Sequence, residues 1–262
     1  MRLRFWVFAL LLVTSTCQVT AAEVVGDDRQ QAALSALMDG RPPAVDSVKS
    51  IALAPWPHAP ADAGALWVVA ALVQSPGSEG DVQLWTGVLR RDGENFRLLA
   101  KDHSEHIDSM PLLWNPGVML DLIPYRISAQ ETAFGVRING SYNSTAHSDA
   151  EERVSLYRFA GSSLTPVFTA LTYSSSFDKD AIAACAQDKA GQGHEPSDAQ
   201  QQACEREIVS EQRYVLIFSP QATKGYYDVI MRAAAGQPAA AKAARSRWNG
   251  QSYAPRRFDG DL

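Results

Sequence analysis

From Leu66 onward, apolar and polar positions follow one another at strand spacing. LWVVAALVQ, VQLWTGVLRR, FRLLAK, GVMLDLIPYRIS, TAFGVRI, RVSLYRF, LTPVFTALTYSS, RYVLIFS, YYDVIMRA, RSRW and QSYAP come in series, with turn residues between them. The run Val154 to Phe159 alternates as a half-buried strand does. Ahead of this region the spacing is different. DDRQQAALSALMD, residues 27–39, predicts one short helix with Asp27 or Asp28 at its start and Gly40 at its end, and Pro42-Pro43 forbid continuation. The stretch to about Ala65 is rich in Pro and Ala and irregular, apart from a strand predicted at Ser50-Ile51-Ala52-Leu53.

Three hairpins share a pattern: LWTGVLRR-DG-ENFRLL, SLYRF-AGSS-LTPVF and RSRW-NG-QSYAP. Asp92-Gly93, Gly161 and Asn249-Gly250 supply the positive φ that tight turns require. Longer polar loops are expected before them, at SPGSEG, NGSYNSTAHSDAEE and SPQATKG. Strand, long loop, strand, tight turn, strand is a meander, and it repeats. The expected fold is all-β, a propeller-like assembly or a twisted β-sandwich of antiparallel meanders, with the short helix in front. Residues 23–65 would form the helix and irregular segment, and 66–262 the β-rich domain with a helical insertion at about 180–211.

The start of the chain changes the picture of where this fold works. Arg2 and Arg4, the apolar run Phe5 to Val13 and the small residues Thr20-Ala21-Ala22 read as a cleaved signal peptide, residues 1–22, with the mature chain starting at Glu23. The apolar run is far shorter than the roughly 20 residues of a spanning helix. An exported, periplasmic protein without a membrane span is expected, and acylation at Cys17 is the alternative. Loss of the leader leaves Cys185 and Cys204, an even pair that predicts one disulfide stapling the polar excursion AQDKAGQGHEPSDAQ. The net charge is −5. Arg90-Arg91 and Arg256-Arg257 are pairs rather than a basic stripe, which argues against nucleic acid.

Candidate chemistry is sparse. Ser176-Phe177-Asp178-Lys179 matches the S-x-x-K nucleophile pattern, but S-D-N and K-T-G are absent, so it reads as a strand end entering a helix cap. Asp102-His103-Ser104-Glu105-His106-Ile107-Asp108 gathers two histidines and three carboxylates, and it reads as an exposed connection after a strand. No calcium loop, G-x-S-x-G, Walker or H-E-x-x-H pattern occurs. No catalytic residue, metal or cofactor is assigned.

One polar segment carries a different signal. Asn139-Gly140-Ser141-Tyr142 places a tyrosine beside a glycine in what reads as a loop, and tyrosine is suited to recognition: large area, few rotors, a hydroxyl for wet clefts. Tyr173 and Ser174, in Thr172-Tyr173-Ser174-Ser175, compete for that role. The segment resembles the S-G-x-Y loop of exported bacterial lysozyme inhibitors, with Asn139 where that motif has Ser. LDLIPYRIS, TAFGVRI and SLYRF-AGSSLTPVF, within residues 120–168, are similar to periplasmic immunity proteins that neutralise peptidoglycan hydrolases delivered by type IV secretion. The resemblance implies a fold like that of i-type lysozyme inhibitors, no catalysis, and a lysozyme-like hydrolase as partner. A cell-envelope hydrolase using Ser176 and Lys179 or a carboxylate pair, and a propeller-type binding module, are the alternatives.

Overall fold

The computed structural model describes residues 28–60, 63–75, 82–107, 112, 114–237 and 242–260. The expected leader, with Cys17 and the expected junction at Glu23, lies outside them. The expected helix forms as α1 (Asp28–Leu37), and a 3-10 turn at Val45–Ser47 leads into the first strand. The chain then builds two sheets. The first runs β1 (Val48–Pro55), β2 (Leu66–Gln74), β3 (Val82–Asp92), β4 (Asn95–Ile107), side by side in chain order and all antiparallel.

The second sheet continues with β5 (Gly117–Arg126), β6 (Thr132–Asn143), β7 (His147–Ala160) and β8 (Ser163–Asp178). Two helices interrupt it, α2 (Lys179–Ala190) and α3 (Asp198–Ile208). It resumes with β9 (Ser210–Thr223), β10 (Tyr226–Ala233), β11 (Ala243–Trp248) and β12 (Tyr253–Ala254), neighbour to neighbour and antiparallel. The last piece, β13 (Arg257–Phe258), pairs with β8 in parallel.

Burial explains the layering. Leu66, Val68, Ala70, Leu72, Leu84 and Val88 of the first sheet pack with Val118, Phe134, Val136, Ile138, Tyr157 and Leu164 of the second. Two sheets sharing one apolar core make a sandwich. The far face of the first sheet is closed by α1, whose Ala33, Leu34 and Leu37 meet Ile51, Val69, Ala71 and Leu89. The second sheet has another core on its opposite face. There Val154, Leu156, Phe168 and Ala170 meet Tyr214, Val229, Met231, Trp248 and Tyr253. The sheet curls to achieve this: the amide of Tyr227 in β10 donates to the Ile127 carbonyl beyond β5, at 2.8 Å. The curl does not close into a barrel.

The fold class is the all-β one expected, in its sandwich form. The disulfide is present, with Cys185 in α2 joined to Cys204 in α3. Three connections differ from expectation. The segment 139–143 continues β6 and 147–152 begins β7, so the expected long loop is a ladder turning at Ser144–Ala146. SPQATKG likewise belongs to β9 up to Thr223, and Lys224 and Gly225 form a two-residue turn with φ of 52° and 84°. Asp102 to Ile107 lies in β4, paired with β3, and Asp108 is outside the described residues. In each case ladder hydrogen bonds come from the backbone, so polar side chains do not prevent a strand. The hairpin turns place Gly93 at φ 62° and Gly161 at φ 65°, while Asn249–Ser252 spans four residues. One of these hairpins lies in the first sheet and two in the second, so the repeat is one of turns rather than of blades.

Candidate functional site

The register brings the two tyrosine segments onto one band of the sheet. Asn139 of β6 pairs with Glu152 of β7, which pairs with Tyr173 of β8. On the next rung Gly140, Glu151 and Ser174 align, then Ser141, Ala150 and Ser175. Two strand spacings, on the order of 10 Å, separate β6 from β8. The pleat then divides them. Tyr142 shares a rung with Asp149, three residues before Glu152, so Tyr142 and Tyr173 stand on opposite faces.

On the Tyr173 face the side chains form a charged clamp. Arg137 donates Nε to Asp121 at 2.7 Å and Nη1 to Glu152 at 2.6 Å. The Tyr125 hydroxyl donates to Asp121 at 2.6 Å, and Thr172 donates to Glu152 at 2.7 Å. Gly135 makes room for this arrangement, because a Cβ there would come within 3.1 Å of Asp121 Cβ, Tyr125 Cε2 and Val154 Cγ2. Burial opposes the charge on Arg137, but Asp121, Tyr125 and Glu152 outweigh it and lift its pKa above the ordinary arginine value. Burial, then the hydrogen bond to Asp121, raises the Tyr125 phenol in turn. Above the clamp lies a groove of about 560 Å³ lined by Arg137, Glu152, Thr172, Tyr173, Arg213, Tyr214, Val215 and Ala234. The Arg213 guanidinium sits over the Tyr173 ring at 4.9 Å. Tyr173, half-buried, thus has one face of its ring taken up by a guanidinium.

On the Tyr142 face the arrangement is open. Trp114 packs edge-on against Tyr142 with ring centroids 5.2 Å apart and remains 52% exposed. Its carbonyl accepts from the Ser141 amide at 3.2 Å, so the chain before β5 runs alongside the end of β6. The hairpin tip is fastened from the other side. The Lys179 amide donates to the Ala146 carbonyl at 2.8 Å and its Nζ to the Ser144 carbonyl at 2.9 Å. Asp178 caps α2 by accepting from the Ala181 amide, and it lies 3.9 Å from the His147 ring. Asn139 is packed down, its side-chain oxygen over Gly117 where a Cβ would collide. Trp114 was not singled out from the sequence, although a tryptophan beside Asn115-Pro116-Gly117 is a large apolar group at a turn.

No family model, curated protein or solved structure matches this chain. Ser176 is a ladder residue of β8 paired with Asp149 and Ser210, and Lys179 is spent on Ser144, so the S-x-x-K spacing is a strand end and a helix cap. His103 stacks on Trp85 with centroids 4.6 Å apart. Among the described residues no group of His, Cys, Asp and Glu could hold a metal ion. No described helix is long and apolar enough to cross a membrane.

Proposed function

We propose that this chain is a non-catalytic inhibitor of immunity type that acts in the cell envelope. It blocks the substrate cleft of a lysozyme-like peptidoglycan hydrolase with the end of the sheet that carries Trp114 and Tyr142. The observation that supports this reading is the aromatic pair itself: an exposed tryptophan braced against a half-buried tyrosine, outside the packed cores. Glycan clefts offer flat contact surfaces and hydrogen-bonding groups around catalytic carboxylates. Two aromatic rings can occupy sugar positions there, and the Tyr142 hydroxyl can donate to a carboxylate. Because the ladder and Lys179 hold the hairpin, little ordering entropy is lost on docking. The motif acts from a strand end rather than from a free loop, so the backbone at Asn139–Ser141 serves as scaffold.

The test is inhibition of a lysozyme-type muramidase in a peptidoglycan-clearing assay. Truncation of a central aromatic anchor typically costs about 2 kcal/mol, roughly thirtyfold in affinity. Tyr142→Ala and Trp114→Ala should each weaken inhibition by that order, and Tyr173→Ala should leave it unchanged. Wild-type protein that neither binds nor inhibits any lysozyme-type hydrolase overturns the reading, as does full inhibition by the Trp114→Ala/Tyr142→Ala double variant.

A further inference from the structure

The outer face of β9, β10 and β11 plays no part in either core. Leu216, Phe218, Val229, Met231 and Ala233 point inward, so by alternation their neighbours point out. The ladder sets Val215 opposite Arg232, Ile217 opposite Ile230, and Ile230 opposite Arg245. Two isoleucines and a valine thus form an apolar diagonal on a strand face, and Val215 is 37% exposed. Arginines surround it, with Arg232, Arg245 and Arg247 all exposed.

The local charge runs against that of the chain. The net charge of the whole chain is −5. By the same alternation Glu211 and Arg213 share this face and pair with each other at 2.7 Å, so they offset one another. The buried carboxylate of Asp228 lies 3.2 Å from Arg245 and 3.8 Å from Arg247. Its other oxygen accepts from Thr223 at 2.7 Å. Two guanidinium groups over one carboxylate leave a positive excess, and Arg232 has no carboxylate partner among the described residues. Asp228 fixes two of the arginines in place without cancelling them. Lys224, exposed in the β9–β10 turn, adds to the excess.

We propose that this face docks on an anionic phospholipid bilayer. Guanidinium forks match phosphate oxygens two at a time. A strand face holds several of them in one plane, as a flat array of headgroups requires. Arginine stems are long enough to lie along the apolar diagonal and to extend toward the phosphates while Ile217, Ile230 and Val215 settle among the headgroups. The docking needs no contact with the Trp114–Tyr142 end, which lies across β8 in the strand order.

Co-sedimentation with vesicles tests this, comparing equal parts phosphatidylglycerol and phosphatidylcholine with phosphatidylcholine alone. The protein should pellet with the anionic vesicles at low ionic strength and be released by salt. Removing one positive charge should lower partitioning roughly fivefold, and the reversal in Arg232→Glu by about twenty-five-fold. Arg232→Lys should keep most of the binding. Tyr142→Ala should pellet like wild type, which separates this surface from the inhibitory one. Protein that stays in the supernatant with anionic vesicles overturns the proposal and leaves the face to an acidic protein partner. So does Arg232→Glu that folds and binds vesicles as well as wild type.

Discussion

Strands β6, β7 and β8 are one continuous ladder with two unlike ends. At the Phe134–Ile138 end, side chains on the two faces enter two cores, and Phe134, Val136, Leu156 and Phe168 are fully buried. At the Asn139–Asn143 end, the same ladder carries Gly140, Ser141, Ala150, Ser174 and Ser175, all half-buried at most. Both ends are paired through the backbone, with β7 and β8 slipping register at Glu152/Arg153 and Leu156/Tyr157, so pairing alone is not what distinguishes them. Burial is. The buried end supplies stability, and the polar end borrows its geometry from that ladder and is free to present side chains. Arg137 marks the boundary, where the apolar faces give way to a charged clamp.

The largest effect is expected where both faces are packed. Phe134 stacks on Tyr157 at 5.7 Å and meets Trp56 edge-on at 4.9 Å. Phe134→Ala removes a fully buried ring and should cost about 3–5 kcal/mol. Urea unfolding checks it. A loss under about 1 kcal/mol would mean that the two sheets are not packed through this ring.

At the boundary the expectation is intermediate. Arg137→Met keeps the apolar stem but leaves Asp121, 10% exposed, facing Glu152, 25% exposed, with no cation between them. Breaking a fully buried pair costs about 3–5 kcal/mol, and partial exposure here should bring that down to about 2 kcal/mol. Adding Glu152→Gln to Arg137→Met should recover part of the loss, since it removes one of the stranded charges. Equal stability of the single and double variants would show that the clamp acts through packing alone.

The comparison also shows what was legible beforehand. Alternation at Val154–Phe159 and the continuous apolar run of β2 mark strands correctly, because a strand facing a core is mostly apolar on that face and its few buried polar residues, such as Ser155 with Thr169, pair with one another. The polar ends of β4, β6 and β9 read as loops in the sequence for the converse reason: nothing in a ladder obliges their side chains to be apolar. The glycine turns at Gly93 and Gly161 were visible, and the Lys224-Gly225 turn, with a lysine in the left-handed region, was not. The clamp was invisible for another reason. Asp121, Arg137 and Glu152 are spread over three strands and become neighbours only once the register is fixed. Tyr142 was legible as a residue type in a polar segment, whereas its brace, Trp114, comes from a turn far along the chain.

A smaller effect belongs to the far turn of the buried end. Glu131 accepts from Arg158 and from the Tyr226 hydroxyl, joining the β5–β6 turn to β10. The hydrogen bond from Arg158, against some burial, holds its carboxyl below the ordinary value of 4.5. The folded protein therefore binds this proton less readily than the unfolded chain does. The stabilisation is complete above about pH 4.5 and disappears as pH falls through the depressed folded value. The side chain is 35% exposed, so screening keeps the contribution below about 1 kcal/mol. Glu131→Gln should flatten this part of the acid limb of a stability–pH curve. Burial raises the Asp259 carboxyl, but the hydrogen bonds and charges of Arg257 and Arg153 together outweigh it, so its shift has the same sign and its contribution should persist in Glu131→Gln. An acid limb identical in Glu131→Gln and wild type would remove Glu131 from the account.

The smallest effect on stability is expected at the polar end, and it sharpens the comparison most. Tyr142 contacts Trp114, itself half exposed, and belongs to no packed core. Its backbone pairs with Asp149, and that pairing does not depend on the side chain. Tyr142→Ala should therefore change unfolding stability by no more than about 1 kcal/mol, the scale of one aromatic pair, even as it weakens inhibition roughly thirtyfold. A ring that matters for binding far more than for folding is what a half-buried anchor on a finished scaffold requires. If Tyr142→Ala instead destabilised the protein by as much as Phe134→Ala, the aromatic pair would be a third core. The division between a stabilising end and a presenting end would then fail, whatever the protein binds.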